Sequence, residues 1–210
     1  MIAPTLTKDE ADAHSVFTAL MWALGHPGCE QRLPTGGLRA FEAIGAALID
    51  LETSFYTPDG ALAHALARTG ARLAPIDAAH YQFYPELTVH DLDPLHAAPV
   101  GSYAYPDESA SLLIGCRLGS GLNLTLRGPG IQGSSTLRIA GLPEGFWPLR
   151  KNAIRYPLGW DMWLIDGDRI VGLPRTTVIE GYGYGIRCSA RRGAGHPGGR
   201  AALPSAERRP

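Results

Sequence analysis

The stretch that decides the fold spans residues 156–177 and has the sequence YPLGWDMWLIDGDRIVGLPRTT. Pro157 and Gly159 predict a tight turn, because proline fixes φ and glycine accepts positive φ. An apolar run of strand length, Trp160–Ile165, follows this turn. The next three residues, Asp166–Asp168, contain the Asp-Gly dipeptide that is typical of hairpin turns. We therefore predict a β-hairpin whose second strand is Arg169–Leu173.

Three polar residues follow this second strand after one proline: Arg175, Thr176 and Thr177. A guanidinium group matches the oxygen spacing of phosphate and carboxylate, and the two hydroxyls can add hydrogen bonds. These residues are the best candidates for an anion-binding site. The alternative is an arginine that pairs with a carboxylate inside the fold while the threonines continue a sheet. From the sequence we give the two interpretations about equal weight.

A glycine-rich segment in the middle of the chain, residues 128–133, formally satisfies G-x-G-x-x-G. A dinucleotide site needs a helix after such a segment, whereas residues 134–140 predict another strand. We therefore favour a plain hairpin or crossover turn. Gly128 and Gly130 stay weaker anion-binding candidates through their backbone N–H groups, and Arg127 is a weaker candidate beside them.

Hydrophobic periodicity divides the chain into helices and then strands. The predicted helices are Ala13–Leu24, Leu38–Leu51, Ala61–Arg68 and Asp91–Ala98, with a weaker one at Glu144–Arg155. The predicted strands before the hairpin are Thr53–Thr57, Ala79–Tyr84, Leu112–Leu118, Leu122–Arg127 and Thr136–Ala140. Helices and strands alternate early and strands cluster late, which indicates an α/β domain with a mixed sheet flanked by helices.

Four segments resemble the PhnH family of the bacterial carbon–phosphorus lyase system, which breaks down phosphonates. They are residues 156–177 quoted above, FTALMWALGHPG at 17–28, LTLRGPGI at 124–131 and GLPEGFWPL at 141–149. The resemblance covers about residues 14–177. It implies a fold similar to that of pyridoxal-phosphate-dependent transferases, without the cofactor, and a homodimer. It also implies a complex with the G, I and J subunits, in which ribose triphosphate passes from ATP to an alkylphosphonate and adenine is released.

Side chains for cofactor chemistry are scarce in the sequence. The cysteines, Cys29, Cys116 and Cys188, are too far apart to indicate an iron–sulfur or zinc site. His90, Asp91, Asp93 and His96 lie close together, but helix capping by the two aspartates is the simpler interpretation. The chain has two lysines, Lys8 and Lys151, and neither looks placed to form a Schiff base with pyridoxal phosphate. We therefore expect no cofactor and no metal.

Length and composition set further limits. A chain of 210 residues predicts one α/β domain, at 1–180, followed by a Gly/Arg/Pro-rich tail at 181–210 that we expect to be disordered. The tail has six arginines against one glutamate, which leaves residues 1–180 with a net charge of −6. A net charge of −1 argues against general nucleic-acid binding, and no apolar run is long enough for a bilayer. Without a signal-peptide pattern, we expect a cytoplasmic protein.

Two functional hypotheses remain from the sequence. In the first, the chain contributes residues to a transferase site shared with its partners, with Arg175 binding phosphonate or triphosphate. In the second, the chain is a catalytically silent subunit whose apolar surface assembles the complex. Trp160, Met162 and Trp163 are the interface candidates in that case, and the core is the alternative position for them. Under either hypothesis we do not expect the chain to be active alone.

Overall fold

A computed structural model describes residues 7–181 of the chain. The predicted tail, residues 181–210, therefore lies outside the described residues except for Gly181. The described part contains five α-helices, which are α1 Lys8–Gly25, α2 Leu38–Leu48, α3 Gly60–Ala67, α4 Val89–Leu95 and α5 Phe146–Ala153. It contains ten strands, which are β1 Gln31–Arg32, β2 Ser54–Tyr56, β3 Arg72–Leu73, β4 Tyr81–Tyr84, β5 Ser111–Gly115, β6 Arg117–Arg127, β7 Ser135–Ala140, β8 Asp161–Asp166, β9 Arg169–Leu173 and β10 Val178–Glu180.

A seven-stranded mixed sheet forms the centre of the fold, in the order β1-β9-β8-β5-β4-β2-β3. Strands β3, β2, β4, β5 and β8 run parallel, and β9 is antiparallel to both β8 and β1. The predicted closing hairpin is confirmed as β8 and β9, with Asp166 opposite Arg169 and Gly167 at φ 61° in the turn. The mixed α/β class is therefore confirmed.

Two apolar layers sandwich this sheet. Alternate residues of β5 and β8 point to opposite faces, so Leu113 and Trp163 pack against α1–α3 while Leu112 and Met162 pack on the other side. That other side is covered by α4, α5 and a three-stranded antiparallel sheet in the order β10-β6-β7. The prediction of helices on both faces is thus incomplete, because a second sheet covers much of one face.

Helix α1 begins earlier than its periodicity predicts. Thr7 and Glu10 form a capping box, in which the Glu10 N–H donates to Oγ1 of Thr7 at 3.3 Å and the Thr7 N–H donates to Glu10 at 2.8 Å. The buried face of the helix consists of Val16, Ala19, Leu20 and Ala23. Phe17 and Met21, which the periodicity places on the buried face, are instead 48% and 56% exposed.

The bounds of two other helices differ from prediction, and a third helix contains a proline. Helix α2 ends at Leu48 rather than Leu51, and Leu51 is exposed in the following turn. Helix α4 begins two residues before Asp91, because Thr88 forms a capping box with that aspartate. Helix α5 tolerates Pro148 because the proline lies in the first turn, where its missing N–H has no helical acceptor. No helix among residues 7–181 is both long and apolar enough to span a bilayer.

Candidate functional site

Arg175 lies at the amino-terminal edge of the parallel strands, because the antiparallel strand β9 brings the chain back to that edge. Its side chain is 14% exposed and forms an ion pair with Asp161, at the start of β8, with Nη2 2.7 Å from Oδ2. Nη2 also donates to the hydroxyl of Ser109 at 2.6 Å, and Nη1 donates to the carbonyls of Pro106 at 2.7 Å and Pro157 at 3.1 Å. The guanidinium therefore joins the segments that lead into β5 and β8.

All five N–H donors of this guanidinium have an acceptor inside the protein. Nε donates to Asp161 at 3.2 Å, and Nη1 and Nη2 make two bonds each. The backbone N–H of Arg175 adds a 2.7 Å bond to the same aspartate. An incoming anion would have to displace one of these acceptors. The contacts therefore match the interpretation of Arg175 as a residue that pairs inside the fold.

The two threonines of the predicted site differ in exposure. Thr176 is partly exposed, whereas Thr177 is 2% exposed and its N–H donates to the carbonyl of Pro174 at 2.9 Å. The Thr177 hydroxyl has no hydrogen-bond partner among the described residues. The backbone carbonyl of Thr177 accepts a hydrogen bond from Nη1 of the buried Arg150 at 3.3 Å. Nη2 of Arg150 donates to the carbonyl of Pro174 at 3.0 Å. Arg150, on α5, thus holds the chain that carries the threonines.

The turn at residues 128–131, with the sequence GPGI, brings together three of the segments that resemble the PhnH family. The turn connects β6 to β7, which pair antiparallel, so the hairpin prediction is confirmed. A Cβ on Gly128 would lie 2.8 Å from the Thr176 carbonyl oxygen, and one on Gly130 would lie 2.5 Å from the carbonyl oxygen of Gly25. The segments around residues 25, 128 and 176 therefore meet through close backbone contacts. Arg127 is exposed beside them and lies 3.9 Å from a Glu180 carboxylate.

The three interface candidates lie in the interior of the chain, so their burial favours the core over a contact with a partner. Trp160 is 1% exposed, Met162 0% and Trp163 6%. The indole N–H of Trp160 donates to the carbonyl of Ala98 at 3.4 Å, and that of Trp163 donates to Leu20 at 3.1 Å. Strand β8 lies between β5 and β9, so its side chains fill the two apolar layers rather than a surface.

A pocket of about 190 Å³ lies between α5 and residues 175–179. Its basic lining residues are Arg150, Lys151 and Arg175, and the remaining ones are Trp147, Ile154, Thr177, Val178 and Ile179. The pocket thus unites two of the predicted residues, Arg175 and Thr177, with two basic residues of α5 that sequence reasoning did not select. The sequence signal that could have found them is the adjacency of two basic residues, Arg150 and Lys151, in the weakly predicted helix Glu144–Arg155.

A second, more open cleft lies beyond the carboxyl ends of β2 and β4, a common ligand position in α/β sheets. Its acidic residues are Asp59, Glu86 and Asp91. Two of these carboxylates cap helices, since Asp59 accepts the N–H of Leu62 at 2.9 Å and Asp91 accepts that of Thr88 at 2.7 Å. Within residues 7–181, no group of three or more His, Cys, Asp and Glu side chains could hold a metal ion.

Comparison with known proteins places the chain in a family of bacterial phosphonate metabolism proteins. Residues 4–180 match the family model described as bacterial phosphonate metabolism protein, PhnH. A putative C-P lyase subunit protein HtxG of Stutzerimonas stutzeri is 33% identical over 171 residues, which cover 79% of this chain and 85% of that protein. The alpha-D-ribose 1-methylphosphonate 5-triphosphate synthase subunit PhnH of Rhizobium meliloti (strain 1021) is 30% identical over 185 residues, which cover 80% and 90% of the two chains. The chain belongs to the PhnH family.

Proposed function

We propose that the chain is a subunit of a carbon–phosphorus lyase complex that transfers ribose triphosphate from ATP to an alkylphosphonate and releases adenine. The observation that carries the proposal is the family match over residues 4–180, together with two relatives that are both named as subunits. The G, I and J subunits and a second copy of this chain are the proposed partners. A cytoplasmic location belongs to the same proposal, because ATP is the co-substrate.

The exposed face of α1 is the surface that we propose for assembly. Phe17, Met21 and Trp22 are 48%, 56% and 54% exposed and lie within six residues of one helix. Aromatic residues and methionine are enriched at subunit interfaces, and a contiguous exposed patch of such residues usually marks one. This face replaces Trp160, Met162 and Trp163 as the proposed contact, since those three side chains are buried.

Co-purification tests this surface. Met21→Glu keeps a good helix former in α1 but places a charge on the proposed contact, so we expect loss of the G, I and J subunits from the purified complex. The matched control is Val89→Glu, because Val89 is 62% exposed at the start of α4, outside the proposed face. Unchanged assembly of the Met21 variant would contradict the proposed surface. Light scattering of the isolated chain decides whether the same face joins two copies.

Reconstituted synthesis tests the reaction. We expect adenine release from ATP and an alkylphosphonate when this chain is present with its partners, and none from the chain alone. The reason is that no triad, paired-carboxylate site or phosphate loop stands out in the sequence. Adenine release by partners without this chain would support the catalytically silent alternative. Release by the isolated chain would overturn the proposal.

We also propose that the fold resembles that of pyridoxal-phosphate-dependent transferases, and that the protein does not use this cofactor. The mixed sheet with helices is compatible with it. Lys8 lies in the first turn of α1 and Lys151 on the exposed side of α5. Incubation of the protein with pyridoxal phosphate should give no aldimine absorbance band and no borohydride-fixed adduct on lysine. An adduct on Lys151, which borders the pocket, would contradict the expectation.

A further inference from the structure

The charged residues that line the pocket between α5 and residues 175–179 are all positive. Three of its lining residues are basic, namely Arg150, Lys151 and Arg175, and none is acidic. Arg175 is already neutralised by Asp161. Among residues 7–181, Lys151 makes no ion pair with a carboxylate, and its side chain is exposed. An ammonium group is therefore available at the pocket for an anion.

A polar group at the pocket lacks a partner within the described protein. Thr177 is 2% exposed, and its hydroxyl is buried without a hydrogen-bond partner among the described residues. Buried hydroxyls are normally hydrogen-bonded, because leaving one unpaired costs the interaction that it makes with water. The hydroxyl lies on a segment that Arg150 fixes through the Thr177 and Pro174 carbonyls. The polar part of the pocket is therefore held in place before any ligand arrives.

The rest of the lining is apolar. Trp147, Ile154 and Ile179 provide an aromatic and aliphatic wall, and Trp147 and Ile179 are 5% and 8% exposed. A volume of about 190 Å³ suits a small molecule rather than a polymer or a complete nucleotide. A few polar groups in a mostly apolar concave site are typical of small-molecule binding.

We propose that this pocket binds a small organic oxyanion, with its charged head at Lys151 and Thr177 and its apolar body against Trp147 and Ile154. The geometry of the pocket carries the inference, and only the choice of a phosphonate as the probe rests on the proposed function. Phosphonate, phosphate monoester and carboxylate share this chemistry, and the probes below distinguish them.

Calorimetric titration of the isolated full chain with phenylphosphonate tests the proposal. We expect saturable binding, at least tenfold tighter than that of inorganic phosphate, because phosphate lacks the apolar body. Phenyl phosphate and benzoate identify the preferred head group, and neutral benzyl alcohol should not bind. Lys151→Ala should weaken binding at least tenfold, and Lys151→Arg should restore most of it. Lys8→Ala removes the other lysine, which lies on α1, and should leave affinity unchanged.

Thr177→Val tests the buried hydroxyl separately, with a thermal melt to show that the variant is folded. We expect weaker binding by the folded variant, since valine has nearly the same shape but no hydroxyl. Equal affinity in the wild type and Lys151→Ala, or no saturation by phenylphosphonate, would overturn the proposal. The titration uses no partner subunit, so its outcome is independent of the co-purification test. Absence of binding would contradict the pocket proposal alone, and absence of assembly would contradict the proposed function alone.

Discussion

The Arg175 guanidinium illustrates how one side chain fastens several segments at once. It contacts Pro106, Ser109 and Pro157, which precede β5 or β8, and Asp161, which begins β8. Because the ion pair is mostly buried, removing one partner leaves the other charge desolvated and unpaired. We therefore expect Arg175 to contribute mainly to the free energy of unfolding.

Arg175→Ala should lower the free energy of unfolding by about 3–5 kcal/mol, the usual range for removing one partner of a buried ion pair. Arg127→Ala is the matched control, since its contact with Glu180 is 3.9 Å long and both side chains are more than half exposed. That change should cost less than about 1 kcal/mol, as for other surface ion pairs. Urea unfolding curves of the two variants give the comparison. Equal stability would show that the Arg175 contacts contribute little.

Cys116 gives a prediction about alkaline pH. Burial, with a smaller contribution from Asp166, raises the pKa of its thiol from 9.0 to about 12. The folded state thus keeps a proton that the unfolded state loses, so this stabilisation is complete below about pH 9 and decreases as pH rises towards 12. Between pH 8 and pH 10 the wild type should lose more unfolding free energy than Cys116→Ala. Parallel losses in urea titrations would contradict this.

At the scale of elements, helix α1 shows what sequence periodicity can and cannot decide. The helix itself was predictable from its apolar repeat and from Gly25 and Pro27-Gly28, which end it. Its buried face was not, because apolar residues lie on more than one side. Phe17, Leu20 and Met21 fit a helical repeat, but of these three only Leu20 is buried. The other buried residues of the helix are Val16, Ala19 and Ala23. The small alanines allow close contact with β9, which leaves the larger residues exposed.

That close contact gives a prediction for Gly172. A Cβ at this position would lie 2.4 Å from the carbonyl carbon of Ala23 and 2.6 Å from the nitrogen of Leu24, and both atoms belong to a rigid helix backbone. Gly172→Ala should therefore push α1 away from β9 and destabilise the fold by about 2 kcal/mol, in the usual range for overpacking. Gly60→Ala is the control.

Gly60 begins α3 and has no atom within 4 Å of an added Cβ. Alanine there should leave stability unchanged or raise it by about 0.5 kcal/mol, because it restricts the unfolded chain. Thermal melts of the two glycine variants measure the difference. A Gly172 variant as stable as the Gly60 variant would mean that the helix moves at little cost.

At the scale of the whole molecule, the sequence was sufficient for the class of fold and for the closing hairpin. Strand order was not predictable, because pairing is set by contacts between residues distant in sequence. The candidate site depended on that order. Arg175 follows a strand, but β9 is antiparallel, so the arginine reaches the amino-terminal edge of the parallel strands and meets Asp161. Arg150 and Lys151 reach the same region only through the packing of α5.

The two apolar layers should unfold together, because they share every central strand. Trp160 belongs to one layer and Trp163 to the other, and both lie in or beside β8. With Trp22 and Trp147 replaced by phenylalanine, Trp160→Phe leaves Trp163 as the fluorescent reporter and Trp163→Phe leaves Trp160. In each of these variants, tryptophan fluorescence should therefore give the same urea midpoint as far-ultraviolet circular dichroism. Each substitution lowers stability by itself, so the comparison is between the two signals of one variant. Separate midpoints would show that one layer melts while the other persists, and that the sheet does not couple them.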